Sequence, residues 1–215
     1  MKKLYSILTS LILLTFTSAK AEIGIGVTGA LHMLDASGTE TTKHSSEKNN
    51  GSHEEDAVVL ELFAEAFLDN GSTLGIAYIP TRDMGSKSRS DTNSEGDTGT
   101  YKAAAELDNV VQIYTDVLLP TEMYGQSLYV KLGIQHATIA TLESLNSGSS
   151  YPDEDVFGYT VGLGTKGDLP YGNNLYYKAD LTYTDFEDYE ATSAGNKVVA
   201  ELEDVAVKLS LGYKF

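Results

Sequence analysis

The end of the chain most constrains the fold, because its last ten residues (AVKLSLGYKF) alternate strictly between two kinds of side chain. Successive side chains of a β-strand point to opposite faces. Val205, Val207, Leu209, Leu211 and the terminal aromatics therefore form one apolar stripe. Ala206, Lys208, Ser210, Gly212 and Lys214 form a polar one. One face of this strand requires lipid or a protein core, and the other requires water or polar partners. A soluble sheet edge is the alternative interpretation of the pattern.

The start of the chain is typical of an export signal. Lys2 and Lys3 precede an apolar run from Leu4 to Phe16, and small residues follow at Ala19 and Ala21. This pattern predicts a signal peptide over residues 1–21, cleaved between Ala21 and Glu22, which leaves a single domain over residues 22–215. No segment approaches the ~18 apolar residues that a transmembrane helix needs, so a membrane-spanning mature chain would have to be a closed barrel.

Charge and cysteine content exclude several functions. The formal net charge is −16, and cleavage would remove Lys2, Lys3 and Lys20, giving −19 for Glu22 to Phe215. Such an acidic chain is a poor ligand for nucleic acid. The absence of cysteine rules out disulfides, thiolate metal sites and a cysteine nucleophile. We expect no cofactor.

Alternation of apolar and polar residues recurs along the mature chain and predicts eight strands. They are centred on residues 22–33, 57–68, 74–78, 106–119, 128–142, 157–164, 175–183 and 205–215. In the fourth, Leu107 is placed on the same face as Val111 and Ile113. The connections alternate between long and short, and the long polar ones cover residues 35–55, 83–104, 143–155 and 187–197.

The second segment has a helical alternative, since Ser52 with Glu55 fits a capping box and Gly71 fits a helix C-cap. The turn Asp69-Asn70-Gly71-Ser72 into another alternating segment favours a hairpin instead. The predicted fold is therefore all-β: an eight-stranded antiparallel, up-and-down transmembrane barrel. Its short turns face the periplasm together with both chain ends, and its long loops are extracellular.

The polar faces of these strands carry charges. They are Glu61, Glu65, Asp116, Lys131, Lys178, Asp180 and Lys208. A soluble lipocalin-like barrel would turn its apolar face inward, and so many charges do not suit a calyx for a greasy ligand. We expect these residues to pair with one another inside the barrel, where an unpaired charge would be costly.

In its signal peptide, strand plan and final YKF, the chain resembles the small eight-stranded outer-membrane barrels, which include the OmpA barrel, OmpX and the opacity-type adhesins. The resemblance covers nearly all of the mature chain. It implies that Tyr213 and Phe215 form the C-terminal signal read by the barrel-assembly machinery. It also implies outer-membrane localisation in a diderm bacterium, with outer-membrane lipid and lipopolysaccharide as neighbours and a monomeric state.

Two groups of residues invite a chemical interpretation. His44 and His53 lie in the first long loop with Glu47, Glu54, Glu55 and Asp56, a set that could hold a divalent cation, although a solvated acidic loop is the simpler interpretation. His136 and Thr138 fall on the outward face of strand five. They resemble the lipid-facing His-x-Ser of outer-membrane lipid A deacylases. Here Thr replaces Ser, and the sequence identifies no acidic partner.

We therefore expect a non-enzymatic barrel with a structural or surface-interaction role, such as envelope integrity, adhesion or masking by its acidic loops. Divalent cations are possible partners of those loops. A narrow or gated channel for small solutes is the alternative, although an eight-stranded barrel is only wide enough for side chains to fill. A lipid A-modifying enzyme at His136 is the third hypothesis.

Overall fold

The computed structural model describes residues 22–41, 48–92, 98–123, 125–145, 151–170, 174–193 and 195–215, nearly all of them in β-strands. Ten strands are present: β1 (Ile23–Thr41), β2 (Lys48–Phe67), β3 (Thr73–Ile79), β4 (Arg82–Thr92), β5 (Thr98–Met123), β6 (Gln126–Leu145), β7 (Glu154–Asp168), β8 (Leu175–Phe186), β9 (Tyr189–Ser193) and β10 (Asn196–Lys214). The predicted cleavage residue Ala21 lies outside the described residues, and Glu22 is exposed at the start of the described chain.

The strands close into a barrel. Each pairs antiparallel with its neighbour, and β1 also pairs with β10 from Gly24 opposite Lys214 to Thr41 opposite Lys197. Eight strand positions complete the ring, because β3 with β4, and β8 with β9, are two parts of one path. The predicted eight-stranded antiparallel barrel is confirmed, and β2 is a strand rather than a helix. In the part of the chain that is described, no helix is long and apolar enough to cross a membrane.

Short turns lie at the end of the barrel that holds the chain termini, which we call the termini end. In the β2–β3 turn, Gly71 has φ = +80° and its amide donates to the Leu68 carbonyl. Gly125, with φ = +77°, lies in the turn between β5 and β6. Glycine is favoured at both places because it adopts positive φ without steric cost.

At the opposite end, which we call the hairpin end, the structure corrects the sequence analysis. Much of what was predicted as long loops is strand. The β1–β2 ladder continues to Thr41 opposite Lys48, and the β4–β5 ladder to Thr92 opposite Thr98. Polar strands of this kind need no apolar face, because their backbone groups pair with each other above the barrel. The hydrophobic pattern therefore could not reveal them.

The outward face of the barrel is apolar. Its exposed side chains include Ile25 and Val27 on β1, and Leu60 and Leu62 on β2. On β5 to β10 they include Val117, Leu132, Ile134, Val161, Leu163, Leu181, Val207, Leu209 and Leu211. We call this surface the apolar belt. Such a belt is costly in water and suits the hydrocarbon of a bilayer.

One strand departs from its predicted alternation. Leu107 was assigned to the outward face, yet it is fully buried, as is Val110. The β5–β6 register shifts between Asp108 and Val111, and Asn109 has φ = +52°. A β-bulge at this place inserts a residue and reverses the facing of every side chain beyond it.

Candidate functional site

The interior near the termini end holds a cluster of charges that we call the lower charge cluster. It consists of Glu65, Asp116, Lys131, Lys178 and Asp180. Lys178 Nζ lies 2.8 Å from Glu65 Oε2 and also contacts Asp116, and Lys131 Nζ lies 2.9 Å from Asp116 Oδ1. The Lys131 ammonium is 3.6 Å from Asp180 Oδ1. Every carboxylate of this cluster thus has a cation within ion-pair distance.

Two tyrosines complete the lower charge cluster. Tyr114 donates a hydrogen bond to Glu65 at 2.9 Å, and Tyr129 donates one to Asp180. The Lys131 ammonium lies 3.9 Å from the centre of the Tyr114 ring, a cation–π distance. Space for these rings comes from glycine, since a Cβ on Gly164 would approach the Tyr129 ring within 2.4 Å. A glycine on one strand therefore makes room for a tyrosine of the next strand, and that tyrosine binds a carboxylate of the cluster.

Nearer the hairpin end lies an upper charge cluster of His32, Glu61, Arg82, Asp204 and Lys208. Lys208 Nζ is 2.7 Å from Glu61 Oε1, and His32 Nε2 is 2.8 Å from the same oxygen. On its other side, His32 Nδ1 lies 2.7 Å from Asp204 Oδ2. Arg82 donates to that Asp204 oxygen at 2.8 Å. All five residues are buried.

A neutral layer of Gln and Thr side chains also occupies the interior. Gln112 and Gln135 both donate to Thr160, at 3.0 and 3.1 Å, and Gln135 also donates to Thr184 at 3.1 Å.

The interior at the hairpin end is filled by an apolar plug. It consists of Leu34, Ile79, Leu107, Val110, Ala137, Ile139, Val156, Phe186, Tyr189, Ala191 and Leu202, all buried. Charged clusters, a polar layer and an apolar plug thus occupy the barrel axis, as expected for a barrel of this width.

The structure places all seven predicted interior charges inside the barrel and divides them between the two charge clusters. Sequence reasoning missed three members of the upper charge cluster: His32, Arg82 and Asp204. Arg82 follows Pro80, where the alternation stops, and Asp204 precedes the apolar stripe of the last strand. The signal available in the sequence was that each of these residues falls at an inward-facing position relative to the neighbouring residues of its strand.

Just above the apolar belt, acidic side chains lie in one row on the outward face. Glu54 is opposite Asp35, Asp35 is opposite Glu203, and Glu203 is opposite Asp185. We call these four exposed residues the acidic row. Directly opposed like charges destabilise a sheet. On β5, Asp108 accepts a hydrogen bond from the Thr81 hydroxyl, and this bond holds the pKa of that carboxyl below its ordinary value.

The predicted histidine sites have different outcomes. His44 and Glu47 lie outside the described residues. His53 Nε2 lies 3.1 Å from Glu55 Oε2 on the same strand. Among the residues that the structure describes, no three His, Asp or Glu side chains converge on a common metal position.

On the outward face, Asp155 lies next to His136 and Thr138, the pair for which the sequence identifies no acidic partner. Thr138 donates to Asp155 Oδ1 at 2.9 Å, whereas His136 Nε2 is 3.9 Å from Asp155 Oδ2 and packs edge-on against Phe157. A nucleophile–base–acid triad needs the histidine between the hydroxyl and the carboxylate. Here Thr138 is bonded to the carboxylate directly, so these three side chains do not form such a triad.

Comparison with solved structures identifies the architecture. The outer-membrane protein OprG from Pseudomonas aeruginosa superposes with a TM-score of 0.59 at 16% sequence identity, covering 91% of this chain and 97% of that one. The chain has the fold of the small eight-stranded outer-membrane β-barrels. This barrel is also similar to Neisserial surface protein A, at 10% identity with 89% and 97% coverage, although the TM-score is only 0.41. No protein-family model and no curated protein matches it.

Proposed function

We propose that this barrel is an outer-membrane protein with a structural and surface-contact role, and that it neither conducts solutes nor catalyses a reaction. The filled interior carries this proposal, because paired charges, the polar layer and the plug leave the axis occupied by side chains. The strand pairs that protrude at the hairpin end supply the surface that would meet the outside of the cell. Export through the predicted signal, cleaved after Ala21, and insertion by the assembly machinery through Tyr213 and Phe215 belong to the same proposal.

Ion conductance in planar bilayers tests this proposal against the channel alternative. The purified barrel is expected to give no discrete conductance steps. Its matched control is a Phe186→Ala, Tyr189→Ala double variant, which removes two large side chains of the plug. Discrete steps from the unaltered protein would overturn the structural role and support a narrow pore.

Divalent cations are the proposed partners of the acidic row, bridging it to lipopolysaccharide phosphates. The register supports this proposal, because Glu54, Asp35, Glu203 and Asp185 follow one another across four neighbouring strands just above the apolar belt. Hard oxygen ligands suit Mg²⁺ and Ca²⁺, and such bridging needs no preformed cage. Comparing the thermal stability of the barrel in Mg²⁺ with that in a chelator measures how much bound cations stabilise it.

The non-enzymatic part of the proposal concerns His136. Because Thr138 bonds Asp155 directly, the outward pair is better suited to a polar contact at the membrane rim. Mass spectrometry of lipid A from cells that express the barrel is expected to match cells without it. A change in lipid A that disappears with His136→Ala would establish the enzyme instead.

A further inference from the structure

At the hairpin end, the wall of the barrel consists of two separate sheets. β9, β10, β1 and β2 form one, which we call the β1 sheet, and β4, β5 and β6 form the other, the β5 sheet. Among the described residues, β2 pairs with β3 only from Leu62 to Phe67, and β4 pairs with β5 alone. No backbone ladder therefore joins β2 to β4. Most of this boundary lies at or beyond the acidic row, to which Glu54 of β2 belongs.

Arg82 connects the two sheets inside the barrel. It is buried and is the first residue of β4. Its Nη1 lies 2.8 Å from Asp204 Oδ2 on β10 and 2.6 Å from His32 Nδ1 on β1. Its Nε and Nη2 have no hydrogen-bond partner in the part of the chain that the structure describes. The polar attachment of Arg82 therefore passes through a single nitrogen.

The three atoms at this attachment all lie within hydrogen-bond distance of one another. His32 Nδ1 is 2.7 Å from Asp204 Oδ2, which closes a triangle with the two contacts of Arg82 Nη1. An arginine nitrogen donates hydrogen bonds and accepts none. The contact between Arg82 and His32 is therefore a hydrogen bond only while Nδ1 is unprotonated. A proton on Nδ1 would place two donors 2.6 Å apart.

The surroundings of the ring favour the neutral imidazole. His32 Nε2 lies 2.8 Å from Glu61 Oε1, an acceptor, so this nitrogen carries the hydrogen. The charged groups that face the ring, directly or through the shared Glu61 oxygen, are Glu61 on β2, Arg82 on β4, and Asp204 and Lys208 on β10. Two carboxylates balance two cations. An imidazolium would therefore add an uncompensated buried positive charge.

Arg82 is the member of this cluster that can move when His32 becomes protonated. His32, Glu61 and Asp204 lie on β1, β2 and β10, which continuous ladders hold together. Pro80, which has no backbone N–H, precedes Arg82 in the chain. Beyond it, β4 is irregular between Asp83 and Ser86. The segment that carries Arg82 is thus bounded by two irregular places, whereas the strands of its partners are regular.

We propose that His32 is a pH-sensitive switch that controls the position of the β4–β5 hairpin. The neutral ring accepts from Arg82 and holds β4 against the β1 sheet. Protonation of Nδ1 replaces this bond with repulsion between two cations and releases Arg82 together with its hairpin. The part that moves is polar and lies toward the hairpin end, so the change alters the water-facing surface of the barrel.

The biological meaning of the switch rests on the proposed function in one respect, namely that the hairpin end faces the outside of the cell. Acid outside the cell would then change the surface that the barrel presents. The switch itself is a property of the folded barrel and is tested in detergent micelles. Its failure would leave the membrane role untouched, and failure of the conductance test would leave the switch untouched.

Nitrogen-15 NMR of the imidazole rings tests the starting state. At about pH 7.5, His32 is expected to show an unprotonated Nδ1 and a protonated Nε2, and at about pH 5 both nitrogens are expected to be protonated. A protonated Nδ1 at the higher pH would overturn the proposal, because Arg82 could not then donate to it. So would a ring that stays neutral at the lower pH. This measurement needs no substitution at His32.

A pair of spin labels measures the movement. Ser52 on β2 and Ser86 on β4 are exposed, and the chain contains no cysteine, so Ser52→Cys with Ser86→Cys accepts one label on each strand. Between about pH 7.5 and about pH 5, the distance between the labels is expected to shift by several ångströms and its distribution to broaden. An unchanged distance over this range would overturn the proposal.

Two histidine variants of the labelled protein identify the group that responds. His32→Gln cannot take up a proton in this range, so it is expected to lose the response to pH. His53→Gln is the matched control, because the His53 ring packs against Gly85 at the same boundary, and it is expected to keep the response. A response that survives in His32→Gln, or that disappears in His53→Gln, would contradict the assignment to His32. A gel shift between unheated and boiled samples shows that each variant is folded.

Discussion

At the scale of single residues, the described interior is governed by the cost of an unpaired charge. Lys178 contacts both Glu65 and Asp116, and all three side chains are almost fully buried. Exposed pairs, such as Lys197 with Glu190, have water as an alternative partner. A lysine ammonium is therefore expected to contribute much more to the stability of the barrel in the buried pairs than in the exposed pair.

Lys178→Met is expected to destabilise the barrel by about 3–5 kcal/mol, because it leaves the buried Glu65 carboxylate without a cation and leaves Asp116 with Lys131 alone. Lys197→Met, the control, is expected to cost less than about 1 kcal/mol. Urea unfolding in lipid vesicles, followed by the fraction of heat-modifiable protein, measures both changes. Equal losses of unfolding free energy in the two variants would show that burial does not decide how much an ion pair stabilises the barrel.

The Thr81 hydroxyl gives a prediction about pH. It donates to Asp108 and lowers the pKa of that carboxyl, as does the backbone near Asn109. Because the folded-state pKa lies below the unfolded value, this contact stabilises the barrel above the unfolded pKa and is lost as the pH falls through the folded one. Thr81→Val is expected to raise the Asp108 pKa toward 3.8 in an NMR titration. An unchanged pKa would show that the hydroxyl does not set it.

At the scale of strands, irregular places decide which side chains face inward. The bulge at Asn109 allows both Leu107 and Val110 to enter the plug. The break at Pro80 ends β3 and precedes Arg82, which joins the upper charge cluster. Each irregularity therefore redirects a side chain that the preceding alternation would have placed elsewhere.

Asn109→Val is expected to destabilise the barrel by about 1–3 kcal/mol, because a β-branched residue is strained at positive φ. Asn109→Gly is the matched control and is expected to be close to neutral, since glycine adopts this conformation readily. The urea midpoints of the two variants, compared with that of the unaltered protein, measure both changes in stability. A tolerated valine would show that the bulge relaxes when the residue changes.

The acidic row predicts a cation dependence. Asp35→Asn with Glu203→Gln is expected to stabilise the barrel in a chelator by about 0.2–1 kcal/mol per opposed pair. The same double variant is expected to lose most of the stabilisation by Mg²⁺. Glu122→Gln, an exposed carboxyl near the termini end, serves as control. Equal Mg²⁺ responses in all three proteins, measured by thermal unfolding, would remove the row as the cation site.

At the scale of the whole molecule, the ladder between β1 and β10 closes the barrel, and we expect this closure to set its behaviour in detergent. A closed barrel resists sodium dodecyl sulfate until it is heated, because separating the strands breaks many hydrogen bonds together. Protein recovered from outer membranes is expected to migrate differently before and after boiling. Equal mobility, with recovery in the periplasmic fraction, would argue against membrane insertion.

Much of this architecture could be predicted from the sequence. Strict alternation in the last strand is confirmed, because its side chains are alternately buried and exposed from Ala206 to Tyr213. Lys131, Lys178 and Asp180 could be assigned inward, because strand parity is a local property. Polar hairpins such as β4 with the start of β5 could not be predicted, since no hydrophobic face marks them.

The number of strand positions, the apolar outer surface and the inward charges follow from the two-residue periodicity of each strand, which is a local property of the sequence. Which charges meet depends on the folded barrel, as with Arg82, His32 and Asp204, which are far apart in the chain. The folded barrel alone also decided the opposition of Asp35 and Glu203 and the missing ladder between β2 and β4. These features depend on register, bulges and barrel closure, which couple distant strands and leave no periodic signal in any one of them.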